Sequence, residues 1–222
     1  MDGVMKNIGL VLALLILGNY SNAQFGLSGG VSMLKGFGIP QPFVGFHIGG
    51  ELPRDDQNSI YGRISFYAKQ TETISSTTLL TANDFLTNPY TINVAYKSSM
   101  NYTVLEGGNR FYIGDGYDSG FGAYGGGNFM IIFNSVKRNY EDYDETKYSL
   151  PVNELPRGSI FSFAFGLNGG VKHTFAGVGT LYGDAGFGYV LIGKPSNITA
   201  QSTNLYSNLL FTFSIGFRKE FY

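Results

Sequence analysis

The stretch LLFTFSIGFRKEFY (residues 209–222) carries a large apolar side chain at every second position from 209 to 217 and again at 221. The positions between them are mostly small, polar or charged, as in the pair Arg218 and Glu220. Successive side chains of a β-strand point to opposite faces. The stretch therefore predicts a strand with one apolar face and one mostly small or polar face.

The same alternation recurs along the chain and predicts further strands. In FSFAFG (residues 161–166), for example, phenylalanines alternate with serine, alanine and glycine. Together with residues 209–222, the predicted strands are residues 25–33, 44–52, 60–69, 102–113, 121–133, 161–175 and 181–191. The sequence thus predicts eight strands in which apolar residues recur at every second position.

The predicted connections alternate in length. Short turns cover residues 53–59, 114–120 and 176–179, whereas long loops lie near residues 70–101 and 134–159. An even number of strands, with short turns at one end and long loops at the other, is the layout of an outer-membrane barrel. Both termini would then lie at the short-turn end, in the periplasm. We predict an all-β fold, an eight-stranded antiparallel transmembrane β-barrel with up-and-down meander topology.

Composition agrees with this fold class. The chain is 14% charged, 43% hydrophobic and 16% aromatic, and it has 32 glycines and no cysteine. A net charge of −1 gives no basic field for nucleic acid. The lack of cysteine excludes disulfides, thiolate zinc sites and lipid-modified cysteines.

A soluble barrel of the lipocalin type is the alternative, because apolar and polar residues also alternate along its strands. Such a barrel hides its apolar face inside and shows polar residues to water. Here the non-apolar face consists mainly of glycine, serine and alanine with few charges. Such a face is too small and too sparsely charged for a solvated exterior, and it suits a narrow lumen.

The amino terminus predicts a secretory signal peptide over residues 1–23. Lys6 precedes the apolar run IGLVLALLILG (residues 8–18), which is too short to span a bilayer. The small residues of SNA (residues 21–23) predict cleavage between Ala23 and Gln24. A membrane anchor or a buried helix is the alternative, and Met5 could serve as the start in place of Met1.

With these features together, the chain resembles small outer-membrane β-barrel proteins of the OmpA/OmpX type, in the Tyr-, Asn- and Gly-rich form found in Bacteroidota. The resemblance covers the mature chain, residues 24–222. It rests on the alternating pattern of the predicted strands and on the aromatic residues of the last strand. It implies that the barrel assembly machinery reads the last strand as an insertion signal. The residues carrying this signal would be Phe213, Ile215, Phe217, Phe221 and Tyr222.

The predicted inner face carries nearly balanced charge. An unpaired buried ion costs several kcal/mol, so we expect these side chains to pair and to close the lumen, as in other barrels of this size. A polar path for small ions is the functional alternative. Glu106 and Arg110 share one face, with Arg63 on the neighbouring strand. The full predicted set is Glu51, Arg63, Lys69, Glu106, Arg110, Lys172, Asp184, Arg218 and Glu220.

Catalytic, metal and cofactor sites are not predicted. His47 would face inward in mid-strand and His173 would face outward near a turn, so no triad at the outer rim can form around them. The acidic residues 139–148 could hold calcium, but their spacing matches no EF-hand loop and a solvated loop is favoured. Residues 71–99 are too apolar for plain disorder, and we expect them to pack on the barrel or to dock on a partner.

The sequence favours a structural or partner-binding barrel of the cell outer membrane, as a subunit of or accessory to a larger secretion or assembly complex. Its expected partners are outer-membrane lipid, the barrel assembly machinery and that complex. A small pore and a lipid-acting enzyme remain open as alternatives.

Overall fold

The computed structural model describes residues 24–152 and 154–221. The predicted signal peptide, including Ala23, and the terminal Tyr222 of the predicted insertion signal lie outside the described residues. Within them, no helix has the length and apolar character needed to cross a membrane.

The described chain is built almost entirely of strands. Ten strands and one short helix follow one another along the sequence. They are β1 (Phe25–Gly36), β2 (Phe43–Pro53), β3 (Asn58–Thr71), β4 (Ser76–Ala82), β5 (Thr91–Gly114), β6 (Phe121–Tyr140), β7 (Tyr148–Ser149), β8 (Arg157–Phe175), β9 (Gly179–Pro195), α1 (Ile198–Gln201) and β10 (Leu209–Phe221).

Eight of these strands close a ring. Each pairs antiparallel with its neighbour in the order β1, β2, β3, β5, β6, β8, β9 and β10. The ring closes where β10 returns to β1, with Phe25 opposite Phe221 and Gly36 opposite Leu210. The prediction of an eight-stranded antiparallel meander is confirmed.

The outer face of the ring is apolar. Outward side chains such as Val31, Phe46 and Phe213 are about half exposed. An exterior of this kind is stable in hydrocarbon and costly in water. The lipocalin-type alternative, which requires the opposite arrangement, is therefore wrong.

The barrel interior has two layers. We call the end with the β2–β3, β5–β6 and β8–β9 connections and both chain ends the turn end, and the opposite end the loop end. Charged and tyrosine side chains fill the turn-end half, whereas the loop-end half is apolar. The apolar layer comprises Leu34, Ile39, Phe43, Tyr67, Met100, Tyr102, Val104, Met130, Ile132, Val136, Ile160, Ala164, Val190, Ala200, Leu205 and Leu210.

Strand β5 continues past the ring at the loop end. Its first residues pair with β4, and its later residues pair with β3. Strand β7 adds to the other edge of β4 through two residue pairs. A separate apolar cluster forms there, with Leu80, Val94 and Tyr148 at its centre. Much of the two predicted long loops is thus folded into strands.

The segment between β9 and β10 covers the loop end of the barrel. We call residues 196–208 the lid. Ala200 and Leu205 of the lid are buried in the apolar layer. The Tyr102 hydroxyl donates to the Leu205 carbonyl oxygen at 3.1 Å, which ties the lid to the barrel wall.

Candidate functional site

An unbroken series of ion pairs fills the turn-end half of the lumen. Its members come from five strands, alternate in sign and are each at most 8% exposed. In order of contact they are Glu106, Arg63, Asp184, Arg110, Glu51, Arg218 and Glu220. We call these seven residues the charge chain.

One half of the charge chain centres on Arg63. Its Nη2 lies 2.6 Å from Oε2 of Glu106, and its Nη1 lies 3.2 Å from Oδ1 of Asp184. Arg110 reaches the same aspartate, with Nη2 at 3.3 Å from Oδ2. Asp184 therefore joins two arginines from different strands.

The other half centres on Glu51. Its Oε2 lies 2.7 Å from Nη1 of Arg110 and 3.0 Å from Nη1 of Arg218. Arg218 also donates through Nε to Oε1 of Glu220 at 2.9 Å. Every arginine of the charge chain contacts two carboxylates, and every carboxylate contacts at least one arginine, so no buried charge in it is unpaired.

Neutral donors complete the coordination of the carboxylates. The hydroxyls of Tyr61 and Tyr112 each donate at 2.5 Å, to Glu106 and Glu51 respectively. The Asn128 amide donates to Glu106 at 2.6 Å. Sequence reasoning named the charges but not these partners. These partners occupy inward positions in the alternating pattern of their strands, and that was the signal that could have identified them.

Aromatic rings also hold the arginines in place. The Arg110 guanidinium lies 4.2 Å from the Tyr61 ring centroid, and the Arg218 guanidinium lies 3.8 Å from that of Tyr117. Tyr117 comes from the β5–β6 turn, and its carbonyl accepts from Arg218 at 2.7 Å. Contacts of this kind favour arginine over lysine at buried positions.

Two residues predicted to join the network lie apart from it. Lys69 is exposed, because the register of β3 against β5 shifts between Tyr67 and Gln70 and turns its side chain away from the lumen. Lys172 does face inward and is 2% exposed. Its Nζ donates to backbone carbonyls of the β5–β6 turn and to Thr174 at 3.2 Å, not to a carboxylate of the charge chain.

His47 is enclosed in the lumen. Its Nδ1 lies 2.6 Å from the Ser32 hydroxyl and its Nε2 lies 2.5 Å from the Tyr182 hydroxyl. The imidazole is 1% exposed, so no substrate reaches it in this arrangement. His173 is exposed on the outer face and packs edge-on against Phe175, with ring centroids 4.6 Å apart.

Asp144 of the acidic stretch 139–148 makes local contacts. Asp144 accepts from Thr146 and pairs with Lys147 at 3.2 Å. These hydrogen bonds, first that of the Thr146 side chain, lower the pKa of Asp144. Among residues 24–152 and 154–221, no three His, Asp or Glu side chains are grouped so as to hold a metal ion.

The described residues of the predicted insertion signal all face outward. Phe213, Ile215, Phe217 and Phe221 are each between two-fifths and half exposed. Phe221 stacks on Phe25 of β1, with ring centroids 5.0 Å apart. These side chains form part of the apolar outer wall where the ring closes.

Comparison with known proteins identifies the fold. No family model matches the chain, and no curated protein matches it. The outer-membrane protein OprG from Pseudomonas aeruginosa is similar in structure over 90% of this chain and 96% of its own, with a TM-score of 0.50 and 12% identity. A major outer-membrane protein from Thermus thermophilus covers 90% of this chain and 99% of its own, with a TM-score of 0.48 and 13% identity.

The attachment invasion locus protein of Yersinia pestis, whose structure contains the heparin analogue sucrose octasulfate, covers 89% of this chain and 99% of its own. Its TM-score is 0.47 and its identity is 14%. At these identities the likeness shows the fold alone. The fold is that of the small eight-stranded outer-membrane β-barrels.

Proposed function

We propose that this protein is a closed outer-membrane barrel that displays a rigid loop structure to a partner, as a subunit of or accessory to a larger outer-membrane complex. The observation that carries the proposal is the contrast between the two parts of the molecule. The lumen is filled with compensated charge and apolar side chains. The structure above the loop end carries exposed apolar residues.

The filled lumen supports an anchoring role rather than transport. An ion crossing the barrel would have to separate the charge chain and then pass the apolar layer and the lid. Each buried ion pair that loses a partner leaves an uncompensated charge, at a cost of about 3–5 kcal/mol. The small-pore alternative therefore finds no support in the interior.

The β4–β5 hairpin offers the surface for a partner. Phe85 and Leu86 at its tip are 92% and 94% exposed. The Phe85 ring stacks on Tyr90, with centroids 6.0 Å apart. The Tyr148 hydroxyl donates to the Pro89 carbonyl at 2.9 Å and fixes the tip to β7. Exposed aromatic and aliphatic residues on a fixed support are typical of protein contact sites.

We place the loop end outside the cell and both termini in the periplasm. Short turns on the periplasmic side and long connections on the outer side are the rule for barrels of this class. The barrel assembly machinery would recognise the outward residues of β10, and outer-membrane lipid would cover the apolar wall.

Site-specific photo-crosslinking in cells tests the partner. A photoreactive amino acid replaces Leu86 at the hairpin tip, and Asp118 in a short turn serves as the matched control. We expect one discrete heavy adduct from position 86 and none of that mass from position 118. If position 86 gives no adduct while the protein migrates as a bare barrel from gently solubilised membranes, the complex-subunit proposal is wrong.

Planar bilayer recordings test the closed lumen separately. We expect the purified protein to show no steady conductance. A stable open state in the wild-type protein would favour the pore alternative instead.

A further inference from the structure

A cavity lies outside the charge chain, at the loop end. It has a volume of about 300 Å³ and lies between the β1–β2 loop, the end of β3 and the lid. This size is at the lower end of small-molecule sites. The lining residues are Gly38, Ile39, Pro40, Gln41, Gln70, Thr71, Glu72, Thr73, Ile74, Asn204 and Leu205.

Glu72 is the only charged residue among those lining the cavity. It is 8% exposed. Its Oε1 accepts from the backbone N–H of Asn204 at 2.9 Å, and its Oε2 accepts from that of Ser98 at 3.1 Å. Glu72 and Asn204 both line the cavity, so the hydrogen bond between them belongs to its wall.

The charge of Glu72 is not compensated by a cation. Within residues 24–152 and 154–221, no lysine, arginine or histidine nitrogen lies within 4.0 Å of it. The contrast with the charge chain is sharp, since Glu51, Glu106 and Asp184 each contact at least one arginine there. A buried carboxylate held only by neutral donors favours a positively charged ligand.

The other walls indicate which kind of cation fits. Ile39, Pro40, Ile74 and Leu205 supply apolar surface, and Gln70 uses its amide N–H to donate to the Pro42 carbonyl at 3.2 Å. Calcium and magnesium require several oxygen ligands, and the lining provides one carboxylate. An organic cation with an apolar body matches both the walls and the charge.

We propose that this cavity binds a small protonated amine, with its ammonium group at the Glu72 carboxylate and its apolar body against Ile39, Ile74 and Leu205. The ammonium replaces the missing cation at Glu72. The inference is independent of the partner-binding proposal, because the hairpin tip and this cavity share no residues.

Binding of phenethylammonium to the full mature protein in detergent micelles tests this proposal. Calorimetry or ligand-observed NMR measures the affinity, and 2-phenylethanol serves as the neutral analogue. We expect the amine to bind the wild type at least tenfold more tightly than the alcohol. Equal affinity for the two compounds, or no binding of the amine at millimolar concentration, overturns the proposal.

Two variants distinguish a ligand-binding role of Glu72 from a purely structural role in holding the lid to the barrel. Glu72→Gln should weaken amine binding at least tenfold, whereas the matched control Glu141→Gln, an exposed carboxyl near the end of β6, should leave it unchanged. Gln41→Lys keeps Glu72 intact and places an internal ammonium at the cavity mouth. It should also weaken amine binding without loss of the folded barrel. Unaltered amine binding in both Glu72→Gln and Gln41→Lys contradicts the assignment.

Discussion

Arg63 and Glu106 stand directly opposite each other on β3 and β5, and their side chains form the shortest ion pair of the charge chain, at 2.6 Å. Directly opposed inward residues of antiparallel strands are the closest side-chain neighbours in a barrel. The register of β3 against β5 therefore brings the two side chains together. The charge chain thus depends on correct strand pairing.

Removing one member of this pair should be costly. Arg63→Leu leaves Glu106 without a cation and also removes the contact to Asp184. We expect a loss of about 3–5 kcal/mol in the free energy of unfolding. Urea unfolding of the protein in lipid vesicles, followed by gel mobility and circular dichroism, measures it.

Lys69→Leu is the matched control for that experiment, since Lys69 lies on the same strand but is exposed outside the lumen. Its effect should stay within about 0.5 kcal/mol. The double variant Arg63→Leu with Glu106→Leu should recover part of the loss. A loss in Lys69→Leu as large as that in Arg63→Leu would contradict the account.

The alternation of apolar and polar residues predicted the ring of strands. It also predicted which charged residues face the lumen, because side chains on one face of a strand recur with a period of two. Glu106, Arg110 and Arg63 share the inner face in the sequence, and they share it in the structure. Pairing partners could not be predicted in the same way. They depend on the shear of the barrel, which brings Asp184 of β9 against Arg63 of β3.

The apolar layer and the lid were not predicted. Met130, Ile132 and Leu210 are apolar residues at inward positions, and their presence only near the loop ends of the strands was the available signal. Local pattern does not show where a connection folds back over the barrel. The position of Lys69 was missed because a register shift interrupts the period of two.

Strand β1 packs closely against β10 at Gly30 but not at the adjacent Gly29, so the two glycines should differ in how well they tolerate a larger side chain. A Cβ on Gly30 would collide with the backbone of Ile215 and Gly216, whereas one on Gly29 would meet only the His47 carbonyl oxygen, at 3.6 Å. We expect Gly30→Ala to cost about 1–3 kcal/mol. Gly29→Ala should unfold at nearly the wild-type urea concentration, and equal midpoints for the two variants would disprove the packing argument.

The tip of the β4–β5 hairpin should change with pH. Asp84 accepts from the backbone N–H groups of Thr87 at 2.7 Å and Leu86 at 2.9 Å. Hydrogen bonds, first those of Thr87, lower the pKa of Asp84. A lowered carboxyl pKa means that these bonds persist above that pKa and are lost as the pH falls through it.

NMR titration of the Thr87 and Leu86 amide protons measures this change. Both signals should move with a common midpoint below about 3.9, the ordinary value for aspartate. Asp84→Asn should abolish the titration of both signals. A midpoint at or above the ordinary value, or a titration that survives in Asp84→Asn, would show that Asp84 does not order the tip.

Arg138 should hold the lid closed. Its guanidinium lies 3.0 Å from Glu154 and 4.3 Å from the Tyr96 ring centroid, and its Nη2 donates to the Ser202 hydroxyl in the lid. The side chain is 1% exposed. Arg138→Met keeps a long apolar side chain but loses these contacts, and a hydrogen bond to a charged group contributes about 1.5–3 kcal/mol.

Limited chymotrypsin digestion of the folded protein reports on the lid through cleavage near Leu205 and Tyr206. We expect Arg138→Met to raise the cleavage rate at least about fivefold, the effect of about 1 kcal/mol on lid opening. Arg157→Met is the matched control, because Arg157 is exposed at the start of β8. If both variants are cleaved at the wild-type rate, the lid is held by its buried Ala200 and Leu205 rather than by Arg138.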